Sequence, residues 1–131
     1  MMWRCFLSNK LGPIAFIDGI VNKDVYIAIL RDQLMPFFDA LYADEITNIV
    51  FQQDNTRPYI ATKTKKILEQ LAEEHGFSIM IWPSNSPDMN PIEQLWPHIK
   101  LQLHQCYPDT ALLHESPDTI RSALKSRLLE I

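Results

Sequence analysis

The sequence predicts an α/β fold, a mixed sheet with helices packed on its faces, from three observations. Two short apolar runs flank a turn-rich segment near the start, strand-like and helix-like stretches then alternate, and helical patterns close the chain. With 131 residues and 47% hydrophobic content, there is enough chain for one compact domain with a sizeable core and too little for two.

Residues 3–7 and 14–20 are the apolar runs, and the intervening "SNKLGP" is turn chemistry, so an antiparallel hairpin is expected first. From Asn22, the residues Tyr26, Leu30, Leu34, Phe37 and Leu41 recur at helical steps and should share one buried face. Pro36 should kink or split that helix. The β-branched run 47–53 reads as a buried strand ending at Asp54. Thr56 can cap a helix that accepts Pro58 in its first turn, faces the core through Ile60, Ile67, Leu68, Leu71 and Ala72, and stops at Gly76. Residues 77–82 form the next strand, and "PSNSPDMNP" is a shaped loop. From Pro91 a helix should bury Ile92, Leu95, Trp96, Ile99 and Leu103, and another from Ser116-Pro117 should bury Ile120, Leu124 and Leu128. The expected order is β-β-α-β-α-β-α-α.

A formal net charge of −4 gives no global basic field, so any contact with nucleic acid has to be local. Cys5 and Cys106 form no metal or redox motif and read as reduced thiols of an intracellular protein. No apolar run approaches the roughly 20 residues that span a bilayer, so no membrane association is expected. The chain opens directly into a strand without a targeting segment. Three glycines leave no phosphate-cradling loop. His75, His98, His104 and His114 lack ligand spacing and read as surface or partly packed.

Two carboxylates stand out by position. Asp54 ends a strand, and Glu93 opens a helix after the proline-rich loop, with 38 residues between them to bring the chain back on itself. Such a pair could share Mg²⁺, a hard ion that takes oxygen ligands. The same residues have structural readings: Asn90, Pro91 and Glu93 fit a capping box, and Asp54-Asn55 fit a strand-to-helix turn. Asp88 and Asp18 read as turn acids, and Asp44-Glu45 as solvated. Arg57, Lys63, Lys65 and Lys66, with no acid among them in sequence, could neutralise phosphates or form a solvated helix face.

"QDNTRPY" (53–59) followed by "WPSNSPDMNPIEQLW" (82–96) resembles the catalytic core of DDE-type transposases of the mariner superfamily, the Tc/mariner-like enzymes. "GPIAFIDGIVNKDVYIAIL" (12–30) resembles the segment that precedes these motifs in that family, so the likeness spans about residues 3–105. It implies an RNase H-like fold, Asp54 and Glu93 as the second and third acids of a metal-binding triad, Mg²⁺ or Mn²⁺ as cofactor, and DNA as substrate. It further implies residues 1–107 as a partial catalytic domain, 108–131 as its C-terminal helical extension, and a nuclear location in a eukaryote. Pairing with a second copy stays open.

The departures from that pattern also shape the expectation. The family's first aspartate lies on a central strand for which this chain has no residues, between the strand near Trp3 and the one ending at Asp54. Tyr59 stands in place of a histidine. Pro97 should clash with the Glu93 carbonyl and tilt the turn that carries it. The expected chain is an N-terminally truncated endonuclease domain that neither cuts nor joins DNA. The alternative is a non-catalytic DNA-binding or protein-interaction remnant.

Overall fold

The computed structural model describes residues 1–7, 10–83, 86–109 and 117–130. The elements run β1 (Met2–Leu7), β2 (Lys10–Phe16), α1 (Lys23–Ile29), a π turn (Leu30–Leu34), α2 (Met35–Ala43), β3 (Val50–Phe51), α3 (Arg57–Ile60), α4 (Thr62–His75), β4 (Ser78–Ile79), a 3₁₀ turn (Pro87–Met89), α5 (Ile92–Cys106) and α6 (Pro117–Leu129). Packing divides the chain into two units, Met1–Asn90 and Pro91–Ile131.

The α/β class is as expected, but the described strands form two separate two-stranded ladders, β1–β2 antiparallel and β3–β4 parallel. The second strand begins earlier than read, because Gly12 and Pro13 lie within it. Arg4 pairs with Ile14 and Phe6 with Leu11, so Gly12 and Pro13 together oppose Cys5 as a bulge. A proline costs no ladder bond at such a site. Glycine is required there by proximity, since a Cβ on residue 12 would lie 2.4 Å from Cys5 Sγ. Ile17 still exchanges hydrogen bonds of 2.8 Å with Met1, and Asp18 to Ile20, read as strand, leave the ladder through a bend with Gly19 at φ +91°.

The long helical stretch is split, as Pro36 led us to expect, and the break takes the form of a π turn in which the Met35 N–H donates to the Leu30 carbonyl. The widened turn receives a proline whose own N–H is missing. Tyr26, Leu30, Leu34 and Leu41 are buried as expected, but Phe38 takes the buried position read for Phe37, which packs half-buried against the same cluster.

The core of the first unit joins this helix to Ile49, Phe51, Leu68, Leu71 and Phe77. Phe38 meets Phe77 edge-on at 5.0 Å between centroids, and each meets Phe51 at 6.2 Å, geometries that suit the ring quadrupole. These contacts pin β3 and the approach to β4 against α2. Both strands are shorter than read. The ladder holds two residues on each side, with Ser78 N–H donating to Ile49 O and Met80 N–H to Phe51 O, both at 2.9 Å. Beyond it Ile81 is 94% exposed, and Val50, read as buried, is 51% exposed.

The helix read from Thr56 is two helices. Ala61 adopts an extended ψ of 138° between α3 and α4, which leaves Ile60 exposed rather than on the apolar face. Thr64, fully buried, donates its hydroxyl to the Pro58 carbonyl at 2.7 Å and satisfies that joint. Gly76 closes α4 in the left-handed conformation at φ 70°, the C-cap read from sequence.

In the second unit α5 begins at Ile92, one residue later than read, so Glu93 is its second residue. The helix continues through Pro97. Ile99 is buried, while Ile92, Leu95, Trp96 and Leu103 are only half-buried. Ile120, Leu124 and Leu128 on α6 are likewise half-buried, and Ser116 and His114 lie outside the described residues. Tyr107 donates its hydroxyl to the Glu130 carboxylate and carries the Arg127 guanidinium 4.9 Å from its ring centre. No helix of the described residues is long and apolar enough to cross a membrane.

Candidate functional site

A parallel strand pair puts the C-terminal ends of both strands at one edge, where loops rather than backbone ladders fill the space. β3 and β4 are such a pair, and the two quoted motifs follow directly from their ends. Asn55 holds the two exits together: its Nδ2 donates to the carbonyls of Trp82 at 3.1 Å and Pro83 at 3.3 Å. The sequence reading assigned Asn55 only to a turn. Nothing in local sequence discloses a partner 27 residues away.

Asp54 is half-buried beside that strap, and its Oδ1 accepts the Thr56 N–H at 3.0 Å. This is the side-chain-to-backbone turn anticipated as its structural role. The bond uses one of about four lone-pair positions on a carboxylate, so acceptor capacity remains. Thr56 occupies the N-cap position of α3 without capping it through its side chain.

Behind Asp54 stands an aromatic wall. Tyr59 stacks on Tyr26 with centroids 4.0 Å apart, and the Tyr26 hydroxyl donates to Gln53 Oε1 at 2.5 Å. Burial first, then the neighbouring Tyr59 and Asp54, push the Tyr26 phenol well above its usual range. Burial followed by the Asp54 charge pushes Tyr59 up as well, with a Thr56 hydrogen bond opposing. Both phenols therefore stay protonated near pH 7, Tyr26 inside the core and Tyr59 half-buried against it.

Glu93 is exposed in the first turn of α5 and belongs to the second unit, whereas Asp54 belongs to the first. Asp88 is exposed in the 3₁₀ turn. Among the described residues no three His, Cys, Asp or Glu side chains are grouped to hold a metal ion. His75 instead faces Asp39, with Nδ1 3.1 Å from Oδ1, and His98 and His104 are exposed.

The basic stretch is not uniform. Arg57, Lys65 and Lys66 are exposed, but Lys63 pairs with Asp24 at 2.6 Å. That acid comes from α1 and was invisible in the local sequence. Its carboxyl is held below the usual range by the Lys63 hydrogen bond first, then by the charges of Lys63 and Lys23. Asp44, read as solvated, similarly pairs with Lys10.

Comparison with known proteins gives a consistent picture. The family profile described as DDE superfamily endonuclease matches residues 7–111. The chain is 34% identical over 100 residues to the transposable element Tcb2 transposase of Caenorhabditis briggsae, covering 76% of this chain and 34% of that protein. It is 30% identical over 103 residues to the transposable element Tc1 transposase of Caenorhabditis elegans, covering 79% and 35% respectively. The matched region thus spans about a third of the length of these relatives.

Proposed function

The chain belongs to the DDE superfamily of endonucleases as a Tc/mariner-like transposase domain, and from that premise we propose that it binds DNA without cutting it. In this reading Asp54 and Glu93 are metal-ligating acids, and Arg57, Lys63, Lys65 and Lys66 approach the phosphate backbone. The observation that carries it is Asp54 at the shared end of the parallel pair, with Asn55 tying its loop to the start of the second motif.

The donor set suits Mg²⁺ or Mn²⁺ in kind, because both acids offer hard oxygen ligands and Asp54 keeps acceptor capacity beyond its Thr56 bond. It is short in number, since the described residues bring no three metal-ligating side chains together. A bound divalent ion supplies charge stabilisation to attacking and leaving oxygens in phosphodiester chemistry. The chain's part is to orient Asp54 through the Thr56 amide and to back it with the Tyr26–Tyr59 wall. As proposed, an incomplete acid set holds the ion weakly and supports neither strand cleavage nor strand transfer.

The finer fold reading is an RNase H-like sheet in which a further central strand, carrying the family's first acid, would join β1 to β3. Two ladders that do not pair with each other among the described residues support it. Nematode relatives and a DNA partner support work in the nucleus.

Nicking and strand-transfer assays of the full 131-residue chain in Mg²⁺, beside Mn²⁺ binding read by electron paramagnetic resonance, test this. Background cleavage and weak Mn²⁺ binding that Asp54→Asn reduces are expected. Cleavage abolished by Asp54→Ala would sink the non-cutting reading. Mn²⁺ binding indifferent to both Asp54→Asn and Glu93→Gln would sink the ligand assignment.

A further inference from the structure

Lys23 played no part in the motifs, yet it shares a concavity of about 450 Å³ with Arg57, lined also by Asn22, Asp24, Pro58 and Ala61. We infer that Lys23 and Arg57 together seat one backbone phosphate of DNA in this concavity, and that Asp24 regulates its charge by holding Lys63. The inference rests on the DNA-binding reading above and adds a residue and a local device to it.

Three features carry it. First, the site is built from two separate elements. α1 contributes Lys23 and Asp24, α3 contributes Arg57 and Pro58, and both cations are exposed. Second, Lys23 is poorly placed for the helix it begins. A cation in a first turn opposes the positive end of the helix dipole, and the Asp24 and Val25 N–H groups there are already taken by Asn22 Oδ1 at 2.9 and 3.0 Å. Those two amides are not available to an anion, and a phosphate between Lys23 and Arg57 would relieve the misplaced charge. Arg57 adds a planar fork of donors that matches phosphate oxygens. Third, the acid at the rim is already paired. Asp24 holds Lys63 at 2.6 Å, so the cluster keeps a net positive charge, and Lys63 reaches a phosphate of its own only by giving up Asp24.

The site is therefore different from the run read in sequence. Lys65 and Lys66 are exposed elsewhere on α4 and line no part of it. Arg57 works with Lys23 rather than with its sequence neighbours.

Fluorescence anisotropy of the full chain with a short labelled duplex, from roughly 50 to 200 mM NaCl, decides the matter through the slope of log K against log salt. Lys23→Gln and Arg57→Gln should each make the slope shallower, and the double variant should make it shallower by about 0.9, the value for one lost phosphate contact. Asp24→Asn should make it steeper and tighten binding, because Lys63 is released. A misfolded variant cannot produce that gain. Asp44→Asn changes the net charge equally at the Lys10 pair and should leave the slope unchanged. If the parent binds with a salt-dependent slope that Lys65→Gln/Lys66→Gln reduces while Lys23→Gln and Arg57→Gln do not, the phosphate seat is wrong and the DNA-binding reading stands. An Asp24→Asn effect no larger than that of Asp44→Asn overturns the regulatory role. A parent chain with no salt-dependent binding overturns the DNA-binding reading and this inference with it.

Discussion

The ring of Tyr59 lies on that of Tyr26 with centroids 4.0 Å apart and planes inclined by 30°. The stack ties the short helix just past Asp54 to a residue only 1% exposed, and the Tyr26 hydroxyl reaches Gln53, the neighbour of Asp54, at 2.5 Å. The position of the candidate acid is thus coupled to the core through one side chain. Tyr26→Phe is expected to lower the unfolding free energy by about 1 kcal/mol, since a part-buried acceptor loses its donor. Tyr59→Leu keeps apolar bulk and should lose about 0.5–1.5 kcal/mol of ring-pair energy. Urea unfolding of the two variants checks both, and a Tyr26→Phe chain as stable as its parent would remove the hydroxyl from the account.

Gly12 faces Cys5 across the hairpin bulge so closely that a Cβ would lie 2.4 Å from the sulfur and 3.1 Å from the Cys5 carbonyl oxygen. Gly12→Ala should therefore destabilise by about 1–3 kcal/mol through overpacking. The sulfur is the worst of these contacts. Adding Cys5→Ala should recover part of the loss, leaving the carbonyl and Phe37 Cε1, 3.2 Å away, to account for the rest. A double-mutant cycle by chemical denaturation measures this coupling. Strict additivity would mean that the bulge relaxes elsewhere.

Alkaline pH should unfold the first unit from the same place. Burial raises the Cys5 thiol from 9.0 to about 12, so above pH 9.0 the unfolded chain gives up this proton while the folded chain keeps it. Proton loss then favours the unfolded state, and the stability present below pH 9.0 is lost as pH rises toward about 12. Tyr26 and Tyr59, both raised from 10.0, add to the decline above that value with the same sign. Urea midpoints measured across this range should fall steadily, and Cys5→Ala should flatten the portion between 9.0 and 10.0. An unchanged slope in Cys5→Ala would assign the fall to other groups.

The sequence was informative wherever one residue's chemistry forces a local conformation or one period dominates. Tyr26, Leu30, Leu34 and Leu41 declared their shared face, and Gly76 its left-handed cap. Phe38 could not be told from Phe37, because the two lie four and three residues past the buried Leu34 and both spacings suit one helix face. Strand length was overread at β3 and β4, since a ladder extends only as far as its partner does and the exposed Ile81 looks the same in sequence as a buried one. In the site, the place of Asp54 just past a strand was legible from the β-branched run before it. The Asn55 strap and the Asp24–Lys63 pair join residues 27 or more apart and were not.

Pro97 is the sixth residue of α5 and is exposed, so its ring serves no core that a substitution would empty. Without an N–H it cannot donate to the Glu93 carbonyl, and the helix runs through it at the cost of that bond. Alanine is about 3 kcal/mol more favourable than proline in a helix interior, so Pro97→Ala should stabilise the second unit by about 1–3 kcal/mol. Helicity by circular dichroism and thermal unfolding of the full chain measure the gain. Because the restored bond falls in the turn that carries Glu93, the same variant should also alter Mn²⁺ affinity if Glu93 is a ligand. A more stable variant with unaltered Mn²⁺ binding would leave Pro97 a purely structural defect and would count against Glu93 as a ligand.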